Sequence, residues 1–198
     1  AGPGIMEAGN EGAGVEHSFG LNIQLPFEQG SNPIMENDHK LLTFKYFITR
    51  KLFYLREWDA LAVFPGGFGT QDEAFESLTL VQTGKAEPMP IVLIDHPGGS
   101  YWKGWDTYVR EHLMANQLIS LDDPSLYVIT DNINDAWDEI TNYYRVFHSS
   151  RYVGEHLVLR LNSCLRSGAL EELNQSFGDI LAAGKIEMTD ALPEEREA

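Results

Sequence analysis

The residues best placed to do chemistry lie in a glycine-rich segment, Pro65-Gly66-Gly67-Phe68-Gly69-Thr70, with Glu73 three positions further on. The segment follows a short apolar run over residues 60–64 and precedes a helical pattern over residues 71–83. Glycines let a backbone approach an anion closely, and the free N–H groups at the start of a helix attract it. The order strand, glycine loop, helix therefore predicts a phosphate-binding loop.

The ligand of such a loop is narrowed by what the segment lacks. No Lys-Ser or Lys-Thr pair follows the last glycine, as a P-loop would need, and the spacing differs from the dinucleotide fingerprint. A monophosphate is the simpler fit. A plain turn is the alternative, because Thr70 and Glu73 also have the spacing of a capping box, in which both side chains bond N–H groups at the helix start. The two interpretations are compatible, and both stay open.

An arginine upstream of the loop is the second candidate. A helix is predicted over residues 36–57, with a buried apolar stripe formed by Leu41, Phe44, Ile48, Leu52 and Leu55. Most of its basic side chains are expected to be solvated. Arg50 differs, because its helix should pack beside the glycine strand, and a guanidinium matches two phosphate oxygens at once.

The composition limits the class of partner. The chain of 198 residues carries 30 acidic and 14 basic side chains, for a net charge of -16. Such a charge repels nucleic acids and anionic membranes, but a local cluster of donors can still bind a small anion. The single cysteine, Cys164, excludes an internal disulfide and a cysteine metal cluster and suits a cytoplasmic location. The histidines are scattered, so no metal site is expected, and no apolar run is long enough to span a bilayer.

The elements that position these residues alternate between two types. Strands are predicted over residues 21–25, 60–64, 90–95 and 126–130. Helices are predicted over residues 5–15, 36–57, 71–83, 101–116 and 133–144. The strands are almost continuously apolar, as strands buried on both faces are. The pattern predicts an α/β fold with a doubly wound parallel sheet, helices on both faces, and ligands at the carboxyl ends of the strands.

The two ends of the chain are interpreted separately. The opening residues, Ala1 to Glu7, read as a turn entering a helix, and we expect that a strand and a helix which belong before them are missing from the chain. A nucleotide-binding domain is expected over residues 1–148 and a C-terminal extension over residues 149–198. In that extension, residues 152–161 fit a strand or a helix, residues 168–177 fit a helix, and residues 192–197 form an acidic tail.

Three segments together resemble the LOG family, long mislabelled as lysine decarboxylases. They are Gly2-Pro3-Gly4-Ile5-Met6-Glu7-Ala8, the pair Arg50-Lys51, and the signature Pro-Gly-Gly-x-Gly-Thr-x-x-Glu that ends at Glu73. The stretch Leu25-Pro26-Phe27-Glu28-Gln29 also looks like the larger bacterial members. The resemblance covers roughly residues 2–144. It implies a Rossmann-like fold, a homodimer, and no metal or organic cofactor.

The resemblance also implies an activity and roles for residues. Such an enzyme cleaves the N-glycosidic bond of a nucleoside 5′-monophosphate, an AMP or an N6-modified AMP, to give free base and ribose 5-phosphate. Arg50 and Glu73 would be the catalytic pair. The substrate-binding residues would be Met6, Lys51, Gly66, Gly67, Gly69 and Thr70. Because the reaction builds positive charge on the ribose, a fixed carboxylate can stabilise it and orient water. Glu73 is expected at the third position of its helix, ionised by the dipole, as a stabiliser or base.

Two other functions compete with this one. A lysine decarboxylase would need a pyridoxal-phosphate lysine in a recognisable setting, and the surroundings of Lys51, Lys85 and Lys103 supply none. A carrier of a phosphorylated ligand, such as the molybdenum cofactor, is the more serious alternative. A carrier needs the phosphate loop but has no use for a carboxylate such as Glu73 beside it, so the enzyme is favoured.

Overall fold

The computed structural model describes residues 2–25 and 30–192. Its α-helices are α1 (Ile5–Ala13), α2 (Phe47–Glu57), α3 (Phe68–Gln82), α4 (Tyr101–Tyr108), α5 (Ile133–Val146) and α6 (Ala169–Phe177). Its strands are β1 (Gly20–Ile23), β2 (Leu41–Phe44), β3 (Leu61–Val63), β4 (Ile91–Ile94), β5 (Val128–Thr130), β6 (Phe147–Val153) and β7 (His156–Leu161). A π-helical stretch, Val109–Met114, continues α4, and short 3₁₀ turns cover Val15–His17, Asp123–Leu126 and Gly178–Ile180. The chain divides into two compact units, Ala1–Asn132 and Ile133–Ala198, which are described separately below.

Parallel strands form the framework of the first unit. β3, β4 and β5 make a three-stranded parallel sheet with β4 in the middle, and β1 and β2 make a two-stranded parallel sheet. All four residues of β4 are buried, as a central parallel strand requires. Helices flank these sheets, and the predicted Rossmann-like α/β class is confirmed.

The core of the first unit lies around the central strand. It joins the strands to the inward faces of α3 and α4, and its buried members are Val63, Ala74, Met89, Ile91, Leu93, Trp102 and Tyr127. Trp102 is fully buried, and its indole N–H donates to the carbonyl of Ile94 at 3.2 Å. This bond lets a large amphipathic ring fill the core without leaving a polar group unsatisfied.

The single helix predicted over residues 36–57 is wrong. Residues 41–44 form β2, paired in register with β1, and α2 begins only at Phe47. Pairing with a strand far away in sequence outweighs the helical spacing of these few apolar residues. The predicted buried stripe fails as well, since Ile48 and Leu52 are 68% and 60% exposed.

The second unit combines two helices with an antiparallel hairpin. Residues 152–161, for which strand and helix were both open, belong to β6 and β7, which pair with each other. A two-residue turn joins them, and Gly154 supplies its positive φ of 58°. Helix α6 agrees with the prediction for residues 168–177. The expected boundary after His148 falls within β6, whereas the compact units meet between Asn132 and Ile133; the domain assignment stays a prediction.

Two predicted features fall wholly or partly outside the described residues. The bacterial-type stretch lies outside them at residues 26–29, and the acidic tail lies outside them from residue 193 onward. Over the described ranges, no helix has both the length and the apolar character needed to cross a membrane.

Candidate active site

The glycine loop joins the carboxyl end of β3 to the start of α3. Helix α3 begins at Phe68, and its N-cap residue is Gly67. No side chain makes a capping hydrogen bond at this helix start. The intrahelical ladder starts with the N–H of Gln71, which donates to the carbonyl of Gly67 at 3.2 Å. The N–H groups of the preceding turn have no acceptor within the helix and are placed to bind an anion.

The predicted capping box is wrong. Because α3 starts at Phe68, Thr70 is its third residue and lies inside the first turn, and Glu73 lies beyond that turn. Neither side chain caps the helix, so neither is occupied by the structural role that the sequence pattern offered as an alternative. Thr70 and Glu73 are three residues apart and therefore share one face of α3.

The three glycines of the loop are needed for different reasons. A Cβ on Gly66 would lie 2.2 Å from the Thr70 Oγ1, so only glycine fits there. At Gly67 and Gly69 a Cβ would point into open space. None of the three has a positive φ, so backbone strain does not require them. At Gly67 and Gly69 a bare backbone keeps the approach to the helix start clear.

Arg50 of α2 is held from several sides. Its Nε donates to the carbonyl of Leu21 at 3.0 Å, its Nη2 to the Tyr54 hydroxyl at 2.7 Å, and its Nη1 to the Glu73 Oε1 at 3.1 Å. The guanidinium carbon also lies 4.6 Å from the centre of the Tyr54 ring. The Tyr54 hydroxyl itself donates to the Leu21 carbonyl at 3.2 Å. Arg50 is thereby fixed in one orientation and in turn orients the carboxylate of Glu73.

The electrostatics of Glu73 differ from expectation. Burial raises the pKa of this carboxyl above its ordinary value, while the positive charges of Arg50 and Lys51 act to lower it. The expected lowering by the helix dipole therefore does not dominate, because the residue lies past the first turn and is desolvated. Its Oε1 accepts from Arg50, and among the described residues its Oε2 has no hydrogen-bond partner. That oxygen is open to water or to a substrate.

Lys51 is bonded to carboxylates of α3. Its Nζ lies 2.7 Å from the Asp72 Oδ2 and 2.6 Å from the Glu76 Oε2. Burial disfavours its charge, but the hydrogen bonds and charges of the two carboxylates raise its pKa above the ordinary value. Lys51 thus ties α2 to α3 beside Glu73, and its predicted contact with substrate stays a prediction.

The loop after β4 contributes residues that the sequence analysis missed. Asp95 is 7% exposed and accepts backbone N–H bonds from His96 at 2.9 Å, Tyr101 at 2.8 Å and Trp102 at 3.4 Å. The Tyr101 hydroxyl then reaches the glycine loop. A polar residue directly after an apolar parallel strand is a signal that points to Asp95, and Tyr54 could have been found from its i,i+4 spacing to Arg50.

The predicted site residues are therefore grouped unevenly. Arg50, Lys51 and Glu73 are brought together, and Gly66 and Thr70 are in contact at the start of the same helix as Glu73. Met6 lies in the first turn of α1 and is 46% exposed; its place near a nucleotide stays a prediction. Over the described residues, no cluster of three His, Cys, Asp or Glu side chains could bind a metal.

The chain matches the model of one known family. A family model described as "Possible lysine decarboxylase", the label borne by the LOG proteins, matches residues 2–140. The chain belongs to the LOG family. The matched region contains α1 through the first part of α5, and with them every residue of the candidate site of this LOG protein. No curated protein is significantly similar to the chain, and its assignment to the larger bacterial type stays a prediction.

Proposed function

We propose that this LOG protein hydrolyses the N-glycosidic bond of a nucleoside 5′-monophosphate, an AMP or an N6-modified AMP, releasing free base and ribose 5-phosphate. The observation that carries the proposal is the placement of Glu73. Its carboxylate is fixed by Arg50 at 3.1 Å, keeps one oxygen uncommitted, and lies on α3 about one and a half helical turns after the uncapped helix start. Anion site and carboxylate are thus within the reach of one small phosphorylated ligand.

The phosphate would bind at the start of α3. The N–H groups of Phe68, Gly69 and Thr70 point out of the helix there, and the helix dipole favours a negative ligand. The Thr70 hydroxyl adds a further donor beside Gly66. Since the chain carries a net charge of -16, this local set of donors is what permits an anionic substrate to bind at all.

The reaction would proceed beside the bound phosphate. As the bond from the ribose C1′ to the base nitrogen breaks, the base leaves with the electron pair and positive charge builds on the ribose. The carboxylate of Glu73 stabilises that charge and takes a proton from the water whose oxygen bonds C1′. Arg50 keeps the carboxylate in place and leaves its outer oxygen free. The departing base takes up a proton from solvent, and Glu73 gives the proton that it took from water back to solvent.

Lysine decarboxylation fits the site less well. A lysine that forms a Schiff base must be available as a neutral amine, which requires a lowered pKa. Lys51, the lysine nearest the site, is ion-paired with Asp72 and Glu76, and its pKa is raised. The carrier of a phosphorylated ligand remains the alternative, and it is distinguished by binding without release of base.

The test is a base-release assay. Purified protein is incubated with AMP, GMP, CMP, UMP and an N6-modified AMP, and the free base is measured. Glu73→Gln should lower kcat by about 10²–10⁴-fold, the usual contribution of a positioned acid–base group. Glu57→Gln, at an exposed carboxylate at the end of α2, is the matched control and should retain wild-type activity. Tight binding without base release in wild type would favour the carrier, and full activity of Glu73→Gln would refute the assignment of Glu73.

We also propose that the enzyme is a cytoplasmic homodimer. The support is the LOG family, whose members are usually homodimers, together with a single cysteine that suits a reducing compartment. Light scattering coupled to size-exclusion chromatography tests the dimer directly. A mass equal to one chain of 22.3 kDa at micromolar concentration would contradict it.

A further inference from the structure

One hydroxyl group links the loop after β4 to the glycine loop. The Tyr101 Oη donates to the carbonyl of Gly66 at 2.6 Å and accepts from the Gln71 Nε2 at 2.6 Å. Because a tyrosine hydroxyl has a single hydrogen, the bond from Gln71 directs that hydrogen to Gly66. The hydroxyl therefore bridges two points of the loop: Gly66, which precedes the cap residue, and Gln71 in the first turn of α3.

The consequence follows from the planarity of the peptide bond. The C=O of Gly66 and the N–H of Gly67 belong to one plane and point in opposite directions. A peptide between two glycines has no Cβ on either side to oppose its rotation. The bond from Tyr101 fixes the carbonyl of Gly66, and so it also fixes the direction of the Gly67 N–H, away from Tyr101. For this N–H the described residues offer no acceptor.

Tyr101 is well anchored for this task. Its own backbone N–H donates to the Asp95 Oδ2 at 2.8 Å, and Asp95 is almost fully buried. Its ring packs in a T-shaped arrangement against the fully buried Trp102, with 4.8 Å between ring centres. The hydroxyl is thus carried by the rigid start of α4, which the core holds in place.

We infer that Tyr101 is a positioning residue, which aims the Gly67 N–H at the substrate phosphate by holding the Gly66 carbonyl. The inference rests on the proposed function, since it concerns the phosphate subsite of that reaction. Tyr101 acts through the loop backbone and leaves the reacting atoms to Glu73. Its loss should therefore weaken binding and change turnover little.

The experiment compares two tyrosines of α4. Tyr101→Phe removes the bridging hydroxyl, and Tyr108→Phe removes the hydroxyl of an exposed tyrosine on the same helix. In Tyr101→Phe the Kd for ribose 5-phosphate and the KM for AMP should rise about three- to tenfold, the effect of one hydrogen bond. The kcat should stay within about twofold, and the thermal midpoint within about 4 °C. Tyr108→Phe should match wild type throughout.

A second measurement follows the loop itself. The ¹⁵N order parameter of the Gly67 amide should fall in Tyr101→Phe from a rigid value of about 0.85 toward the flexible range below about 0.6. If wild type binds ribose 5-phosphate and releases base, and Tyr101→Phe equals it in Kd and KM, the inference is wrong while the proposed function stands. A looser loop with unchanged Kd also overturns it. If wild type neither binds the sugar phosphate nor releases base, the proposed function fails.

Discussion

Two loops of the first unit contain the same tripeptide, Pro-Gly-Gly, but only one of them has a carboxylate that accepts the N–H groups of the following helix. Pro65-Gly66-Gly67 follows β3 and Pro97-Gly98-Gly99 follows β4, and each leads into a helix. The second loop contains its own anion, because the carboxylate of Asp95 accepts the N–H groups at the start of α4. The first loop contains none, and the start of α3 has no side-chain cap.

The glycines show the same contrast. In the second loop a Cβ on Gly99 would lie 2.2 Å from the Asp95 Oδ1, so the carboxylate occupies the space that the glycine leaves. Gly98 has a φ of 75° and donates its N–H to the Asp131 Oδ2 at 2.9 Å. In the first loop the space at Gly67 is open. An identical sequence thus makes a closed turn where a buried carboxylate is present, and it leaves the helix start open where one is absent.

The largest expected effect is on stability and concerns the loop after β4, called the filled loop below because Asp95 occupies it; the loop after β3 is the open loop. Asp95→Ala leaves the N–H groups of Tyr101 and Trp102 without their carboxylate acceptor, and the second of these is buried. We expect it to lower the free energy of unfolding by about 3 kcal/mol. Urea unfolding followed by circular dichroism measures this. Asp122→Ala, at an exposed aspartate of the same unit, should change stability by less than about 0.5 kcal/mol. Equal stability of the two variants would mean that α4 does not depend on an internal anion.

The next effect separates two neighbouring glycines of the open loop. Gly66→Ala forces a Cβ against the Thr70 side chain and should cost about 1–3 kcal/mol of stability. Gly67→Ala has room for the fold and should cost at most about 1 kcal/mol, as a change of cap residue does. Its Cβ would nevertheless project into the space proposed for phosphate. We therefore expect about tenfold weaker binding of ribose 5-phosphate, the equivalent of one good hydrogen bond.

The coupling between Gly66 and Thr70 is the control for that comparison. If the cost of Gly66→Ala comes from the contact with the Thr70 hydroxyl, it should shrink when Thr70→Ala is present. Calorimetric titration and urea unfolding on the single and double variants give both quantities. Additive costs, or a Gly67→Ala variant that binds ribose 5-phosphate as well as wild type, would contradict the assignment of the open space to a ligand.

The sequence predicted the open loop better than the filled one. The open loop is a local motif. The position of Arg50 one helix upstream predicted that its guanidinium would point at this loop, whereas in the structure it donates to Glu73 on the helix that follows the loop. The contact of Tyr101 with Gly66 spans 35 residues. It depends on how two loops lie side by side at the end of the sheet, and this cannot be predicted from the spacing of residues along the chain.

The errors have a common physical cause. The four residues of β2 are too few for their period to be distinguished from the helix that follows, and pairing with β1 decided the outcome. The capping box failed because α3 starts three residues before the predicted position, where a glycine is the cap. In both cases the individual residues fit two local structures, and their spacing along the chain does not choose between them.

The smallest expected effect is on the pH dependence of turnover, and it follows from the difference between the carboxylates of Asp95 and Glu73. Asp95 is bonded to three backbone N–H groups, whereas Glu73 is held by one guanidinium and has an open oxygen. If the ionised form of Glu73 is required, kcat/KM falls as pH falls through its pKa. Because burial raises this pKa, the acid limb should lie above the ordinary glutamate value of 4.5.

Lys51 provides the means to move that limb. Its positive charge lowers the pKa of Glu73, while the negative charges of Asp72 and Glu76 raise it. Lys51→Met removes the first effect and leaves both carboxylates uncompensated, so each change acts in the same direction and the acid limb of the kcat/KM profile should move to higher pH. Lys45→Met, at an exposed lysine before α2, should leave the profile unchanged. An acid limb below pH 4.5 in wild type, or a shift to lower pH in Lys51→Met, would show that the group titrating in kcat/KM is a carboxyl other than Glu73.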